Sequence, residues 1–374
     1  EGIRTDARVC NLSYLQTDWY IDQMIRPAYN SPSLPITWPR LDYCSGTNEY
    51  VEVHPELKSE VMKLYAEHPE QAKAQWGDNP FELKNVLKYW VRSRDNDTHL
   101  IPTDTLYVTI DKNAVKKSGM MMASDTIPDR MVISLKGKNA LYKSLMMLEL
   151  IAQSNWTRPI YVATTVGQEN YMNLGDNFIQ EGLANRISPF TTNKPGAKNF
   201  DTEKVYNNVM NRFKFGGLDK PGLYLDETVM KMCYTHRKLM ATLALHLIGE
   251  GKFAKAKKVL AYAEKVMPEY NVPVNFMSGG LDYAEAYYLV GNKKKSSQMF
   301  NTVVKNCKQY AEWYLSLSSD RLMMSQQDFM LQLYVLNKAA ESASVMDPAL
   351  ANKIVASLNS YANMYKAKTG QSIQ

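Results

Sequence analysis

No stretch of this sequence approaches the roughly 20 apolar residues needed to cross a bilayer. Short runs such as Met120-Met121-Met122-Ala123 and Leu145-Met146-Met147-Leu148 are soon interrupted by polar residues. Cysteine is scarce: Cys10, Cys44, Cys233 and Cys307 form no C-x-x-C pair, which argues against a zinc ribbon or a thioredoxin-type centre. The five histidines, His54, His68, His99, His236 and His246, show no H-x-x-x-H or H-E-x-x-H spacing. A histidine metal site would therefore have to be assembled from distant segments. Phosphate-cradling loops of the G-x-x-x-x-G-K-[ST] and G-x-G-x-x-G types are absent, as is the G-x-S-x-G nucleophile elbow. No cofactor, metal or catalytic residue is expected on these grounds. Gly and Pro, at 18 and 16, are too few for a collagen-like or low-complexity chain.

Charge is nearly balanced. Lys plus Arg is 44 against 38 Asp plus Glu, a net +6 over 374 residues. The one dense cationic cluster is Lys293-Lys294-Lys295, with pairs at Lys116-Lys117 and Lys257-Lys258. Nucleic-acid binding needs cations massed along one face to displace counterions, so no nucleic-acid partner is expected. Weak contact with anionic lipid headgroups fits short lysine clusters better. Hydrophobic residues at 45% and charged residues at 22% describe a globular chain of two or three domains. Cys10 and Cys44 could pair in an oxidising compartment. The opening Glu1-Gly2-Ile3-Arg4 has no initiator Met and no signal peptide, and reads as the interior of a longer chain.

The first part reads as α/β or α+β with one small mixed sheet. Thr17 is placed to cap a helix containing Asp18, Trp19, Ile21 and Met24 that ends before Pro27. Asp18 and Asp22, four apart, share a face of it. Pro27, Pro32, Pro35 and Pro39 make 27–46 an irregular connection. Further helices are expected over 57–68 and 80–90. Strands are expected at 105–110, 130–135 and 159–163, with a helix capped by Asn139 between the last two, a βαβ-like unit. From Asp226 onward the periodicity is helical. Leu243, Ala244, Leu247, Gly251, Ala256, Leu260, Ala263 and Pro268 fall at tetratricopeptide spacings, and Ala284, Tyr287, Gly291, Ser296 and Phe300 echo them. A third helix pair is expected over 321–343 and 348–365, with Asp347 as cap. The expected division is thus an α/β domain over 1–225 and tetratricopeptide-like helical repeats over 226–374.

Few constellations suggest chemistry. Asp95-Asn96-Asp97 has the D-x-D spacing for a shared hard cation, but its setting reads as a solvated turn. The 21 methionines suit either an adaptable binding surface or flexible core filler, and filler is the simpler reading. Trp156 and Tyr161 could stack on a sugar face while Arg158 holds a phosphate or carboxylate. The alternative is that Trp156 packs beneath the junction while Arg158 bonds carbonyls at the helix end. Glu181 and Arg186 are five apart, a poor helical spacing for a mutual bond, so each is expected to find another partner.

The segment Glu1–Ser13, followed by Leu15-Gln16-Thr17-Asp18-Trp19-Tyr20-Ile21-Asp22-Gln23-Met24, resembles a bacterial family of multi-spanning membrane proteins, formerly a domain of unknown function. That family is similar to a vertebrate transmembrane protein O-mannosyltransferase. The resemblance continues through 155–162 and 181–186, then Phe213-Lys214-Phe215-Gly216-Gly217-Leu218-Asp219, Tyr224-Leu225-Asp226-Glu227-Thr228 and Met232-Cys233-Tyr234-Thr235-His236-Arg237. It implies a water-facing region on the periplasmic side of the inner membrane, tethered by upstream transmembrane helices that this chain does not contain. The implied role is non-catalytic: positioning an acceptor polypeptide or glycan beside a membrane-embedded glycosyltransferase-like site. Candidate contact residues are Asp18, Trp19, Tyr20, Trp156, Arg158, Glu181 and Arg186. The alternative is a helical-repeat scaffold for protein–protein contacts in the cell envelope.

Overall fold

A computed structural model describes residues 5–47, 50–122, 126–141, 145–192 and 198–372. The opening Glu1–Arg4 and Ala123 of the methionine run lie outside them. Two compact units divide the chain, Glu1–Asp201 and Thr202–Gln374.

The first unit begins with helix α1 (Asp18–Met24) and a single helical turn, α2 (Arg40–Tyr43). Strand β1 (Val51–Glu52) precedes helices α3 (Lys58–Glu67) and α4 (Pro69–Trp76). Helix α5 starts at Leu83–Asn85 and continues with π-type geometry over Val86–Val91. Then come β2 (Thr105–Thr109), α6 (Lys112–Lys117), β3 (Arg130–Ser134), β4 (Ala140–Leu141) and α7 (Leu145–Gln153). Strands β5 (Tyr161–Ala163), β6 (Phe178–Gln180) and β7 (Ala184–Ile187) complete the unit.

These strands form three small antiparallel sheets, β1–β4, β2–β3 and β5–β7–β6. Isolated parallel bridges, Val53 with Ile101 and Glu82 with Tyr107, add a mixed element. The expected βαβ unit does not form: β3 and β5 lie in different sheets. The physical reason is α7. Every residue from Leu145 to Ala152 is buried, and a helix apolar all round sits inside a core rather than over one sheet face. Asn139 does not cap this helix. Its carbonyl accepts the Val53 N–H at 2.9 Å and leads into β4.

The regular elements of the second unit are helices among the described residues: α8 (Thr202–Asn207), α9 (Glu227–Gly249), α10 (Phe253–Val266), α11 (Gly280–Leu289), α12 (Lys293–Ser316), α13 (Ser319–Met324), α14 (Gln326–Met346) and α15 (Pro348–Thr369). The small and apolar residues that suggested helix pairing are those that pack. Leu243, Ala244, Leu247, Ala256, Leu260 and Ala263 are all buried. Gly251 turns between α9 and α10 at φ +75°, a conformation costly for any residue with a Cβ. Gly280 serves a close approach instead: a Cβ there would lie 2.5 Å from Val303 Cγ2 and 2.8 Å from the Asn275 carbonyl oxygen. Asp347 caps α15, its carboxylate accepting the Leu350 N–H at 3.1 Å.

Candidate functional site

The first turn of α1 borders a cleft of about 540 Å³ lined by Leu15, Asp18, Trp19, Trp38, Tyr43 and Tyr50 among others. Thr17 occupies the cap position, but its hydroxyl donates to the Tyr14 carbonyl at 2.7 Å. Asp18 does the local work instead, its Oδ1 taking the Trp19 N–H at 2.7 Å. Asp18 and Asp22 do share a face, and Arg40 joins them at 3.2 Å to each. Tyr43 Oη donates to Asp22 Oδ1 at 2.8 Å. That bond, ahead of Arg40, holds the Asp22 carboxyl below its ordinary range. Burial, then the same bond, pushes the Tyr43 phenol up to about 12, so it stays a neutral donor.

Four aromatic side chains, Trp19, Trp38, Tyr43 and Tyr50, line the cleft. Trp19 is 49% exposed and Tyr50 55%, ready-made faces for stacking on a flat or ring-shaped ligand. Trp38 is buried, and its indole Nε1–H has no hydrogen-bond partner among the described residues. A buried donor left unmade costs about 1–3 kcal/mol, and this one is closed off from solvent, so it bears on stability rather than on a ligand in the cleft. The irregular, proline-rich connection brings Trp38 here. It is fixed by buried Glu149 of α7, whose Oε1 accepts the Thr37 N–H at 2.8 Å and the Thr37 hydroxyl at 2.7 Å. Sequence reasoning did not single out Trp38, Tyr43 or Tyr50. The available signal was a tryptophan set between Thr37 and Pro39, where no regular element would bury it.

The remaining candidates lie elsewhere. Tyr20 is buried: its hydroxyl accepts the Asn11 N–H at 2.8 Å and donates to the Val9 carbonyl at 3.2 Å. Trp156 is also buried, in the core beyond the end of α7. There Asn155 and Trp156 both adopt left-handed backbone, φ +46° and +60°, a strain that burial of the indole offsets. Arg158 bonds the Pro32 and Ser33 carbonyls at 3.2 and 3.1 Å and Ser31 Oγ at 2.8 Å. It ties down the proline-rich connection rather than a helix end.

Glu181 and Arg186 require a correction. They interact, Nη1 to Oε1 at 3.7 Å, because β6 and β7 form a hairpin across the Gly182-Leu183 turn and helical spacing does not apply. Each also has the second partner expected of it. Tyr161 Oη donates to Glu181 Oε2 at 2.5 Å, and Arg186 Nη2 donates to the Ser118 carbonyl at 3.0 Å. Both side chains are at least nine-tenths buried.

Cys10 and Cys44 are free thiols. Asp95 and Asp97 form a local turn, Asp97 N–H to Asp95 Oδ1 at 3.1 Å. Among the described residues no group of three or more His, Cys, Asp or Glu side chains could hold a metal ion. Nor is any helix among them long and apolar enough to cross a membrane.

The chain is thus an antiparallel-sheet and helix unit carrying a cleft with aromatic walls, followed by an all-helical unit. Residues 1–206 match the family described as TMEM260-associated domain 2, and the chain belongs to that family. No curated protein and no solved structure matched.

Proposed function

We propose that this chain is the water-facing, non-catalytic part of a membrane-embedded glycosyltransferase-like protein, and that it positions an acceptor polypeptide or glycan. The membership in a family named for a transmembrane protein supports the membrane setting. The periplasmic side of the inner membrane, with the tether supplied by transmembrane helices outside this chain, is part of the same reading. The observation that carries the binding role is the α1 cleft, where the exposed Trp19 and Tyr50 rings and Asp18 line one cavity. Stacking surface beside a carboxylate acceptor suits a hydroxyl-rich ring or a hydroxyl-bearing peptide.

Titrating the chain with free mono- and oligosaccharides and with secreted acceptor peptides tests this. Saturable binding, lost in Trp19→Ala and kept in Trp38→Phe, is the expected result. Absence of saturable binding, together with normal transfer by a full-length protein lacking this region, overturns it. A stoichiometric protein partner recovered through residues 227–374 alone favours the scaffold alternative.

A further inference from the structure

The second unit holds a larger groove, about 970 Å³, bounded by α9, the segment before α11, α12 and α14. Along α12, Val303, Asn306, Tyr310 and Trp313 succeed one another at intervals of three and four residues, so they form one stripe. Met277, Tyr310 and Trp313 are each more than half exposed, a concentration of large apolar surface that solvent-facing helices seldom carry without a partner.

Two features say what kind of partner. The groove is electrically neutral: its two charged residues, Glu227 and Lys231, pair with each other at 2.7 Å. A phosphate or an acidic tail entering it would lose hydration without gaining a counter-charge, which disfavours nucleic acid, lipid headgroups and charged peptides. The polar groups that remain are the Tyr234 and Tyr310 hydroxyls, the Cys307 thiol and the side-chain amides of Asn275, Asn306, Gln309 and Gln332. The side-chain amides of Asn306 and Gln309 in α12 have no hydrogen-bond partner among the described residues. Each amide offers a donor and an acceptor, the complement of an extended backbone's N–H and C=O.

We infer that this groove binds an extended polypeptide segment with uncharged side chains, its backbone held by Asn306 and Gln309 and its apolar side chains seated against Tyr310 and Trp313. The inference rests on the helical unit alone. Loss of binding at the α1 cleft leaves it standing, and its own failure leaves the cleft reading untouched.

The test titrates the full chain, by calorimetry and tryptophan fluorescence, with a capped peptide of about ten residues alternating Thr with Leu and Phe, extended to about 33 Å. Saturable binding is expected. Trp313→Ala should weaken it roughly thirtyfold, as for a central aromatic anchor, and Asn306→Ala or Gln309→Ala about fivefold each. Replacing Thr by Asp in the peptide should weaken it too. Circular dichroism and melting of the variants should match the parent, because Trp313 and Gln309 are exposed and Asn306 is half-buried. Three results overturn the inference: no saturation, unchanged affinity in Trp313→Ala, or an Asp-substituted peptide binding as tightly. Two others do so by naming another occupant: an oligosaccharide binding in the peptide's place, or self-association of the chain that Trp313→Ala abolishes.

Discussion

At the scale of single residues, Trp38 separates stability from binding most cleanly. Its indole N–H contributes no hydrogen bond within the described residues, so Trp38→Phe removes an unsatisfied donor while keeping most of the apolar packing. We expect the melting temperature to hold or rise slightly while ligand affinity at the cleft stays the same. A loss of several kcal/mol on chemical denaturation would show that the donor has a structural partner. His54 gives a pH prediction. Its ring lies 2.8 Å from Glu56 and 3.0 Å from Glu52, and these bonds, Glu56 first, raise its pKa above the ordinary 6.5. A raised folded-state value means the stabilisation is complete below pH 6.5 and fades as pH climbs through the folded-state pKa. An NMR titration should place the His54 midpoint above 6.5, and Glu52→Gln with Glu56→Gln should return it towards that value. The sequence disclosed Asp18 and Trp19 because they open an evident helix. It concealed Trp38, since a core indole and a cleft-lining indole look the same without the fold around them.

At the scale of elements, the helical half was legible because its signals are local. Gly251 at the turn, small residues at the crossings and Asp347 before Pro348 each fix a neighbouring backbone conformation whatever lies far away. Two substitutions probe this. Gly280→Ala forces a Cβ against Val303 and the Asn275 carbonyl and should cost about 1–3 kcal/mol, as overpacking does. Asp347→Ala removes the α15 cap and should cost about 1 kcal/mol. Denaturant midpoints at unchanged m-value would confirm both. The sheets were less legible because strand pairing is non-local. Strand boundaries near 105–109 and 130–134 were readable from alternation. That β3 pairs back with β2 rather than forward with β5 goes with α7, the helix between them in sequence, being buried along its whole length. The Glu181–Arg186 pair was missed for a related reason: the same five-residue spacing that separates two side chains on a helix brings them together across a hairpin.

At the scale of the whole molecule, each unit has its own buried apolar cluster, Leu87, Leu106, Ile133 and Leu148 in the first, Leu243, Leu260, Phe329 and Leu336 in the second. Residues 1–201 and 202–374, expressed separately, should therefore each unfold cooperatively and show dispersed NMR spectra. A fragment that is molten by near-ultraviolet circular dichroism would show that its core depends on the other. The groove of the helical unit carries one last implication. With Glu227 and Lys231 already cancelling each other, attraction there has almost no Coulombic part for dissolved ions to weaken. A partner seated in it should survive a concentrated brine wash that strips ionically held contaminants, and should instead be released by mild detergent.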